Sequence, residues 1–455
     1  MLQANDISET WILSNLRLKK GKDVPLRRFH PFVFSGAIQT ALPTSPGFAL
    51  LESFEGEPLA IIMLNPEVGL CGRVFISSVE TLKQWNEGNA TSRIEIIDSG
   101  VQQKLDSALK LRESLFAPYF YSSISGKPLN VTIKAESTEA VAISTGTQVI
   151  SGMTSTFRWV NAEGDQFPGL ILDHYNGTVV MQVSTAVCDL LRPAIVRHIE
   201  GLSSRFPGPL KILERSDGGF RRAENLGPVK AWHNEPGEQQ VWFKEDGLDC
   251  IVDVENGQKT GFFIDMRCMR ELLGSLCEDR DVLNLFSYTG GFGLHALRGA
   301  AKSLVQVDRS SSALEFSQQQ IEKNFGKEIQ NRCQHHCMDV DQYLKDLPSE
   351  TRFDVVIADP PAFAKKRADV KNAVRAYRKL HRSSIQRVRS GGLFLACSCS
   401  HFISAEHFHS ILVEALAAEG RQAQIISQHR QAPCHPLAAN HPEGHYLKSL
   451  LLRVY

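Results

Sequence analysis

Hydrophobic and polar positions change rhythm along the chain. From about residue 16 to 98, short apolar runs at 32–34, 49–51, 59–64 and 72–76 are separated by Pro, Gly and Ser turns. This pattern predicts a small all-β domain. Leu105, Leu109, Leu111 and Leu115 then recur close to helical period, predicting a helix over 102–116. Gly, Ser, Thr and Lys dominate from there to about residue 155, as expected of a linker or inserted loop. Residues 157–254 alternate apolar strands with a helical stretch near 190–202, a mixed α+β pattern. After Asn256 the rhythm becomes strand, glycine turn, helix, strand, which predicts an α/β doubly wound parallel sheet. Its strands are expected at 282–286, 303–307, 334–338, 354–358 and 392–397, with a final pair near Gln424 and Leu447. The expected division is 15–98, 99–255 with an insertion near 117–153, and 256–455; no internal repeat is visible.

A length of 455 residues calls for several domains, and 42% hydrophobic with 22% charged residues excludes a disordered or low-complexity chain. Fifty basic residues balance fifty acidic ones, so any attraction for nucleic acid must come from local clusters. The ten cysteines show no disulfide-framework spacing, which favours reduced thiols in an intracellular compartment. No apolar run approaches the ~18 residues of a membrane span. Asp6 and Glu9 argue against a transit peptide, so a soluble, cytoplasmic protein without membrane association is expected.

The candidate chemistry concentrates in the last two hundred residues. The strand 282–286 runs into Ser287-Tyr288-Thr289-Gly290-Gly291-Phe292-Gly293 and a helix, and Asp308 ends the next strand, where an acid accepts hydrogen bonds from ribose hydroxyls. A glycine turn alone could serve packing without any ligand. Asp339 and Asp359, however, end the third and fourth strands, so three acids should line one crevice. A pyrophosphate would be repelled there, whereas a cationic sulfonium carrying a ribose and an adenine would not. S-adenosylmethionine therefore fits better than a nicotinamide dinucleotide. Its candidate contacts are Asn284, Phe286, Tyr288, Thr289, Gly290, Gly291, Asp308, Arg309, Asp339 and Asp359.

Asn-Leu-Phe-Ser-Tyr-Thr-Gly-Gly-Phe-Gly (284–293), Val-Asp-Arg-Ser (307–310) and Asp-Pro-Pro-Ala-Phe (359–363) resemble the motifs of class I S-adenosylmethionine-dependent methyltransferases. Segments 257–267 and 435–448 narrow the resemblance to the family of ribosomal RNA large-subunit cytosine-5 methyltransferases, and 27–38 is similar to the start of that family's PUA domain. The resemblance implies a Rossmann-like seven-stranded methyltransferase domain (256–455), a small β-barrel PUA-like domain (15–98) and a central α+β domain (99–255). It adds Phe263 and Arg267 to the cofactor contacts and implies a ribosomal RNA substrate. Departures fall at Phe29, which interrupts an Arg-Arg-His-Pro run, at Glu245-Asp246-Gly247 in place of Glu-His-Gly, and at the insertion.

Carbon 5 of a pyrimidine is a poor nucleophile until a group adds at carbon 6, and a cysteine thiolate can do that. Cys399 follows the strand 392–397 and should reach the crevice near Asp359, while Cys397, with the same parity and two residues deeper, reads as packing. By resemblance, Cys399 is the covalent nucleophile and Asp359 holds the ring through N3 or its exocyclic edge. The base that removes the carbon-5 proton is unidentified. Thiolate formation needs local positive charge, for which Lys365 and Lys366 are candidates. Pro360, Pro361 and Phe363 also look like the Pro-Pro-aromatic motif of amino-methyltransferases, with Phe363 stacking on a base; Cys399 tips the choice toward carbon.

Two basic clusters are candidate RNA contacts. Arg17, Lys19, Lys20, Lys22, Arg27 and Arg28 are opposed by Asp23 alone and precede Phe29, His30 and Phe32. Over 365–389 ten basic residues stand against Asp369 alone, with Lys371, Arg375, Arg378 and Arg382 on one helical face beside Lys365. That face has no compensating acid in its own sequence. Cys333 to Cys337 lacks a second ligand pair, so no metal is expected. His435, His441 and His445 belong, by the resemblance, to a loop near the substrate. A homodimer is left open. The competing readings are methylation of a base amine or ring nitrogen, a silent RNA-binding or ribosome-assembly factor that keeps the cofactor, and, more distantly, a nicotinamide oxidoreductase.

Overall fold

The computed structural model describes residues 6–117, 120 and 153–455; apart from residues 117, 120 and 153, the expected insertion lies outside the described residues. The chain divides into two compact units. One comprises the chain up to Lys244 with Asp253–Phe262 and Pro433–Gly444; the other comprises Glu245–Val252, Phe263–Ala432 and His445–Tyr455.

In the first unit, β1 (Leu16–Arg17), β2 (Phe32–Val33), β3 (Gly47–Glu52), β4 (Pro58–Leu64) and β5 (Gly72–Ile76) form one sheet in the order β1-β3-β4-β5-β2. The sheet curls until its edges meet: the Lys19 N–H donates to the Ala37 carbonyl at 2.9 Å and the Gln39 N–H to the Arg17 carbonyl at 2.8 Å. Closure of this kind satisfies edge groups that would otherwise be exposed. Inside the curl, Ala49, Leu51, Ala60, Ile62 and Leu64 pack at the two-residue period of a strand.

The helix expected over 102–116 runs from Ala90 to Leu115, with the Asn89 side chain accepting the Ser92 N–H at 3.0 Å as its N-cap. Its buried stripe is Ile94, Ile97, Val101, Leu105, Ala108, Leu109 and Arg112. Arg112 is wholly buried and every direction of its guanidinium is used. It pairs with both Asp165 oxygens at 2.6 and 2.7 Å, and donates to the Arg158, Ala108 and Cys434 carbonyls. Beyond it, β6 (Thr156–Asn161), β7 (Leu170–Tyr175), β8 (Thr178–Val183), β9 (Lys211–Ser216) and β10 (Val229–Trp232) form a second sheet in the order β10-β9-β8-β7-β6. Its one parallel pair, β8 with β9, is bridged by helices Ala186–Leu190 and Arg192–Gly201.

Strands β11 (Gln240–Glu245) and β12 (Leu248–Asp253) precede the α/β part. In the second unit, β13 (Asp281–Leu285), β14 (Ser303–Asp308), β15 (Cys333–Cys337), β16 (Phe353–Ala358), β17 (Val388–Ser398), β18 (Ala423–His429) and β19 (Lys448–Val454) form a seven-stranded sheet. Its order is β15-β14-β13-β16-β17-β19-β18. Six strands run in one direction, and β19, between β17 and β18, is antiparallel to both its neighbours. The apolar run of β16 is buried on both faces, as a central parallel strand requires. The strand order reverses between β14 and β16 around β13, so the ends of β13, β14, β15, β16 and β17 open on one edge, the ligand-binding edge of such sheets. No helix among the described residues is long and apolar enough to cross a membrane.

Because Arg112 is buried with a satisfied partner set, removing it strands the Asp165 carboxylate in the interior. Arg112→Leu should destabilise the first unit by about 3–5 kcal/mol, read by chemical denaturation.

Candidate active site

The loop after β13 is strained. Phe286 and Tyr288 take φ of +58° and +49°, a region side-chain-bearing residues avoid, and Gly290 follows at +80°. Asp308 holds it there: one carboxylate oxygen accepts the Tyr288 N–H at 2.8 Å and the other the Ser310 N–H at 2.9 Å. Each oxygen keeps a further lone pair, the acceptor set that ribose hydroxyls need. Phe263 meets Tyr288 edge-on at 5.4 Å.

The glycine of this loop answers to packing as well as to ligand approach. A Cβ on Gly290 would run into the Ser317 hydroxyl, and one on Gly293 would lie 2.7 Å from the Gln306 Oε1. Asn284 and Thr289 are both buried at the base of this segment's hydrogen-bond network. Asn284 is buried with its amide on Gln306 at 3.1 Å, and Thr289 is buried with its carbonyl accepting Gln320 at 2.5 Å. Gly291 opens the helix Gly291–Arg298. Arg309 and Asp339 pair at 2.6 Å at the surface, and Asp339 also caps the helix Val340–Asp346 through the Gln342 N–H.

Arg267 is 1% exposed and lies 3.5 Å from Glu245. Glu245 also receives both nitrogens of the Arg270 fork, at 2.6 and 2.7 Å, and His295 at 3.3 Å. Burial opposes the Glu245 charge, but Arg270, His295 and Arg267 outweigh it and hold the carboxyl well below its usual range. Arg267 thus belongs to a buried ionic cluster with Glu245, Arg270 and His295. Glu245, Asp246 and His295 bring ligand-type atoms within 4.8 Å of one another, with the Arg270 fork already on both Glu245 oxygens.

Parallel pairing of β16 with β17 sets Ala358 opposite Ala396, so Asp359 and Cys399 emerge from neighbouring strand ends. Cys399 is half-buried, with Sγ 3.9 Å from the Pro360 carbonyl. Ser400 ties the two loops together, accepting the Ala364 N–H at 3.2 Å while its hydroxyl meets the Tyr377 hydroxyl at 2.9 Å. Burial pushes Tyr377 up to about 12, with Cys399 and Asp359 adding to the shift against hydrogen bonds from Ser398 and Ser400. Cys397 is fully buried; burial, Asp359 and Cys399 all push its thiol well above the ordinary range, so it is the inert member of the pair. Asp359 and Cys399 therefore act on the same two side chains. Phe363, half-buried, packs against Tyr377 at 4.7 Å between ring centroids. None of the ten cysteines is joined in a disulfide.

The sequence alone left out Lys448. It stands on β19 opposite Ser398, and its ammonium donates to the Ser400 carbonyl at 2.7 Å and the Ile403 carbonyl at 2.8 Å. Its only sequence signal was its place at the end of the 435–448 segment.

The basic face of helix Val370–Ile385 is corrected by the fold. Arg378 pairs with Glu414, Arg382 with Glu419 at 2.7 Å and Lys379 with Asp341 at 2.5 Å, while Arg389 reaches Asp281 and Asp354. The compensating acids come from other elements. Lys365, Lys371 and Arg375 stay exposed without an ion pair among the described residues. In the first unit, Arg27 is engaged by Asp23 and Glu57, whereas Arg28 is exposed without an ion pair among the described residues. Of the three histidines, His435 is buried beside Cys434, His441 lies edge-on to Phe32 at 4.6 Å, and His445 contacts Arg430 at 3.1 Å.

Comparison with known proteins supplies the context. Residues 228–453 match the family model of S-adenosylmethionine-dependent methyltransferases, and residues 16–76 match that of PUA-like domains. The chain is 37% identical over 440 residues to a ribosomal RNA large subunit methyltransferase I of Aeromonas salmonicida, covering 96% of this chain and 98% of the relative. It is 33% identical over 442 residues to the protein of that name from Alteromonas mediterranea, with the same coverage. Among solved structures, a candidate S-adenosylmethionine-dependent methyltransferase from Streptococcus mutans superimposes with a TM-score of 0.73 at 19% identity, over 97% of this chain and 100% of that one. A candidate methyltransferase solved with S-adenosylhomocysteine gives 0.74 at 19%, with the same coverage.

If Asp308 both restrains the loop and faces the ribose, Asp308→Ala should weaken S-adenosylhomocysteine binding at least about tenfold by calorimetry, since it removes charge-assisted hydrogen bonds. Far-UV circular dichroism should be unchanged.

Proposed function

Because the chain belongs to the ribosomal RNA large subunit methyltransferase I family of S-adenosylmethionine-dependent methyltransferases, we propose that it methylates carbon 5 of a cytosine in large-subunit ribosomal RNA. The observation that carries the carbon-5 assignment is the half-buried Cys399, its sulfur beside the Pro360 carbonyl and in one electrostatic neighbourhood with Asp359. A methyltransferase acting on a base nitrogen has no use for a thiol at that place.

The donor set at the strand ends fits the cofactor: Asp308 offers acceptors for ribose hydroxyls, with Phe263, Phe286 and Tyr288 around the strained loop and no phosphate-binding cation required. S-adenosylmethionine, when bound, supplies an electrophilic methyl group. The Cys399 thiolate adds to carbon 6 of the cytosine, forming a C–S bond and making carbon 5 nucleophilic. Asp359 holds the ring by its N3 or amino edge; in its acid form it gives N3 the proton that offsets the negative charge developing there, and takes it back when the thiolate leaves. Once carbon 5 carries the methyl group, its proton leaves to a base, the C–S bond breaks, and the thiolate is regenerated. Pro360 and Pro361 stiffen the turn that presents Asp359, and Phe363, braced by Tyr377, borders the base.

RNA outside the reacting base is held by Lys365, Lys371 and Arg375 in the second unit and by Arg28 in the PUA-like part. Arg378 and Arg382 contribute less because acids already neutralise them.

Two measurements test this reading. With RNA tritiated at carbon 5 of cytosine, the protein should release tritium only when S-adenosylmethionine is present, and Cys399→Ala should abolish release. Methyl transfer without release would move the reaction to nitrogen. For RNA binding, Lys371→Ala with Arg375→Ala should lower affinity and reduce the salt slope by about 1 per residue. Arg378→Ala with Arg382→Ala should change the slope less.

A further inference from the structure

Resting on the reading of Cys399 as nucleophile, we propose that Lys448 is the positioning residue that keeps Cys399 as a thiolate, by fixing a positive charge beside the turn that follows it. Three observations on the fold support this. Lys448 arrives on the antiparallel strand β19, directly opposite Ser398, one residue before the nucleophile. Its ammonium is not free to swing: two of its three donors are spent on the Ser400 and Ile403 carbonyls, at 2.7 and 2.8 Å. Those carbonyls bound the turn that the Ile403 N–H closes onto Ser400 at 3.1 Å, so the cation and the backbone after Cys399 form one rigid piece.

The charge is needed because the other groups around Cys399 work against a thiolate. The carboxyl of Asp359, at the end of β16, acts on both Tyr377 and Cys397 in the direction that disfavours negative charge. Tyr377, from helix Val370–Ile385, and Cys397, from β17, are neutral at ordinary pH, since burial raises both. Asp265, hydrogen-bonded by the Tyr446 hydroxyl, adds a second carboxylate that acts on Cys397. A thiol normally titrates near 8.5 and is lowered by a neighbouring cation. Lys365 and Lys366, the cations the sequence suggested, are exposed, and their backbone N–H groups are turned to Asp369. Lys448 is the better placed, half-buried and held on the chain segment of the nucleophile itself.

The coupling also works in the other direction. Burial lowers Lys448 to about 8, and the Cys399 charge opposes that shift. The cation is therefore present at neutral pH and is lost as pH rises past about 8, so its support for the thiolate is greatest below that point.

The test is site-resolved alkylation. The intact protein, its Lys448→Met and Lys448→Gln variants and its Lys448→Arg variant are treated with iodoacetamide from pH 5.5 to 9.5, and Cys399 modification is read by peptide mass spectrometry. Loss of the charge should slow Cys399 alkylation at pH 7 by about tenfold and move its profile to higher pH, the size expected of one nearby cation. Arginine should stay close to the parent. Gln, which can still donate to one carbonyl, separates charge from bracing and serves if the Met variant does not fold. Folded Met or Gln variants with the parent's profile, or an Arg variant that behaves like Met, would overturn the proposal. Because alkylation needs no turnover, the two readings fail separately. An unshifted profile in a protein whose tritium release requires Cys399 overturns only the role of Lys448. A shifted profile in a protein whose Cys399→Ala variant still releases tritium upholds the charge coupling and overturns the nucleophile.

Discussion

Parallel pairing of β16 with β17, with Ala358 opposite Ala396, is the contact on which the reactive centre depends. Neighbouring strands lie ~4.8 Å apart, so groups that leave adjacent strand ends can address one base. Apolar residues buried on both faces of β16 fix that register, since a slip of one residue would move every core side chain to the opposite face and unmake its packing. Ser400 then joins the two loops through Ala364 and Tyr377, and Lys448 grips the turn beyond from the other side. The Asp-Pro-Pro turn and the Cys399 segment are thereby built as one object.

The ionic groups of the chain fall into two kinds. Arg112 with Asp165, and Glu245 with Arg270, are buried, bidentate and saturated, and they hold parts of their units together. Groups at the strand ends are only half-buried and keep acceptor capacity: Asp308 restrains a strained loop while facing outward, and Cys399 is the accessible thiol of a pair whose other member is sealed. Interior charge pairs are costly unless fully satisfied, so this contrast separates architecture from chemistry.

The sequence made much of this legible because its signals were local. Strands followed by Asp308, Asp339 and Asp359 announced the parallel sheet and its crevice, and depth along one strand, two residues at the same parity, told Cys397 from Cys399. What stayed hidden depended on partners distant in sequence. The acids that neutralise Arg378, Lys379 and Arg382 come from Glu414, Asp341 and Glu419, and no window around the helix contains them together. Lys448 reaches Ser400 only because β19 runs antiparallel beside β17. Arg267 reads as a cofactor contact from its motif, and its buried approach to Glu245 could not be read from the segment around it. The long helix begins at Ala90, twelve residues before the expected start, where the Asn89 side chain accepts the Ser92 N–H as its cap.

The central claim is that Cys399 forms a covalent bond with the base it helps to methylate. The most direct measurement is to incubate the intact protein and S-adenosylmethionine with substrate RNA in which the target cytosine carries fluorine at carbon 5. That fluorine cannot leave as a proton does, so the adduct should persist. A cofactor-dependent protein–RNA adduct whose digested peptide places the nucleotide on Cys399 is the predicted result. No adduct, or one on another cysteine, would contradict it.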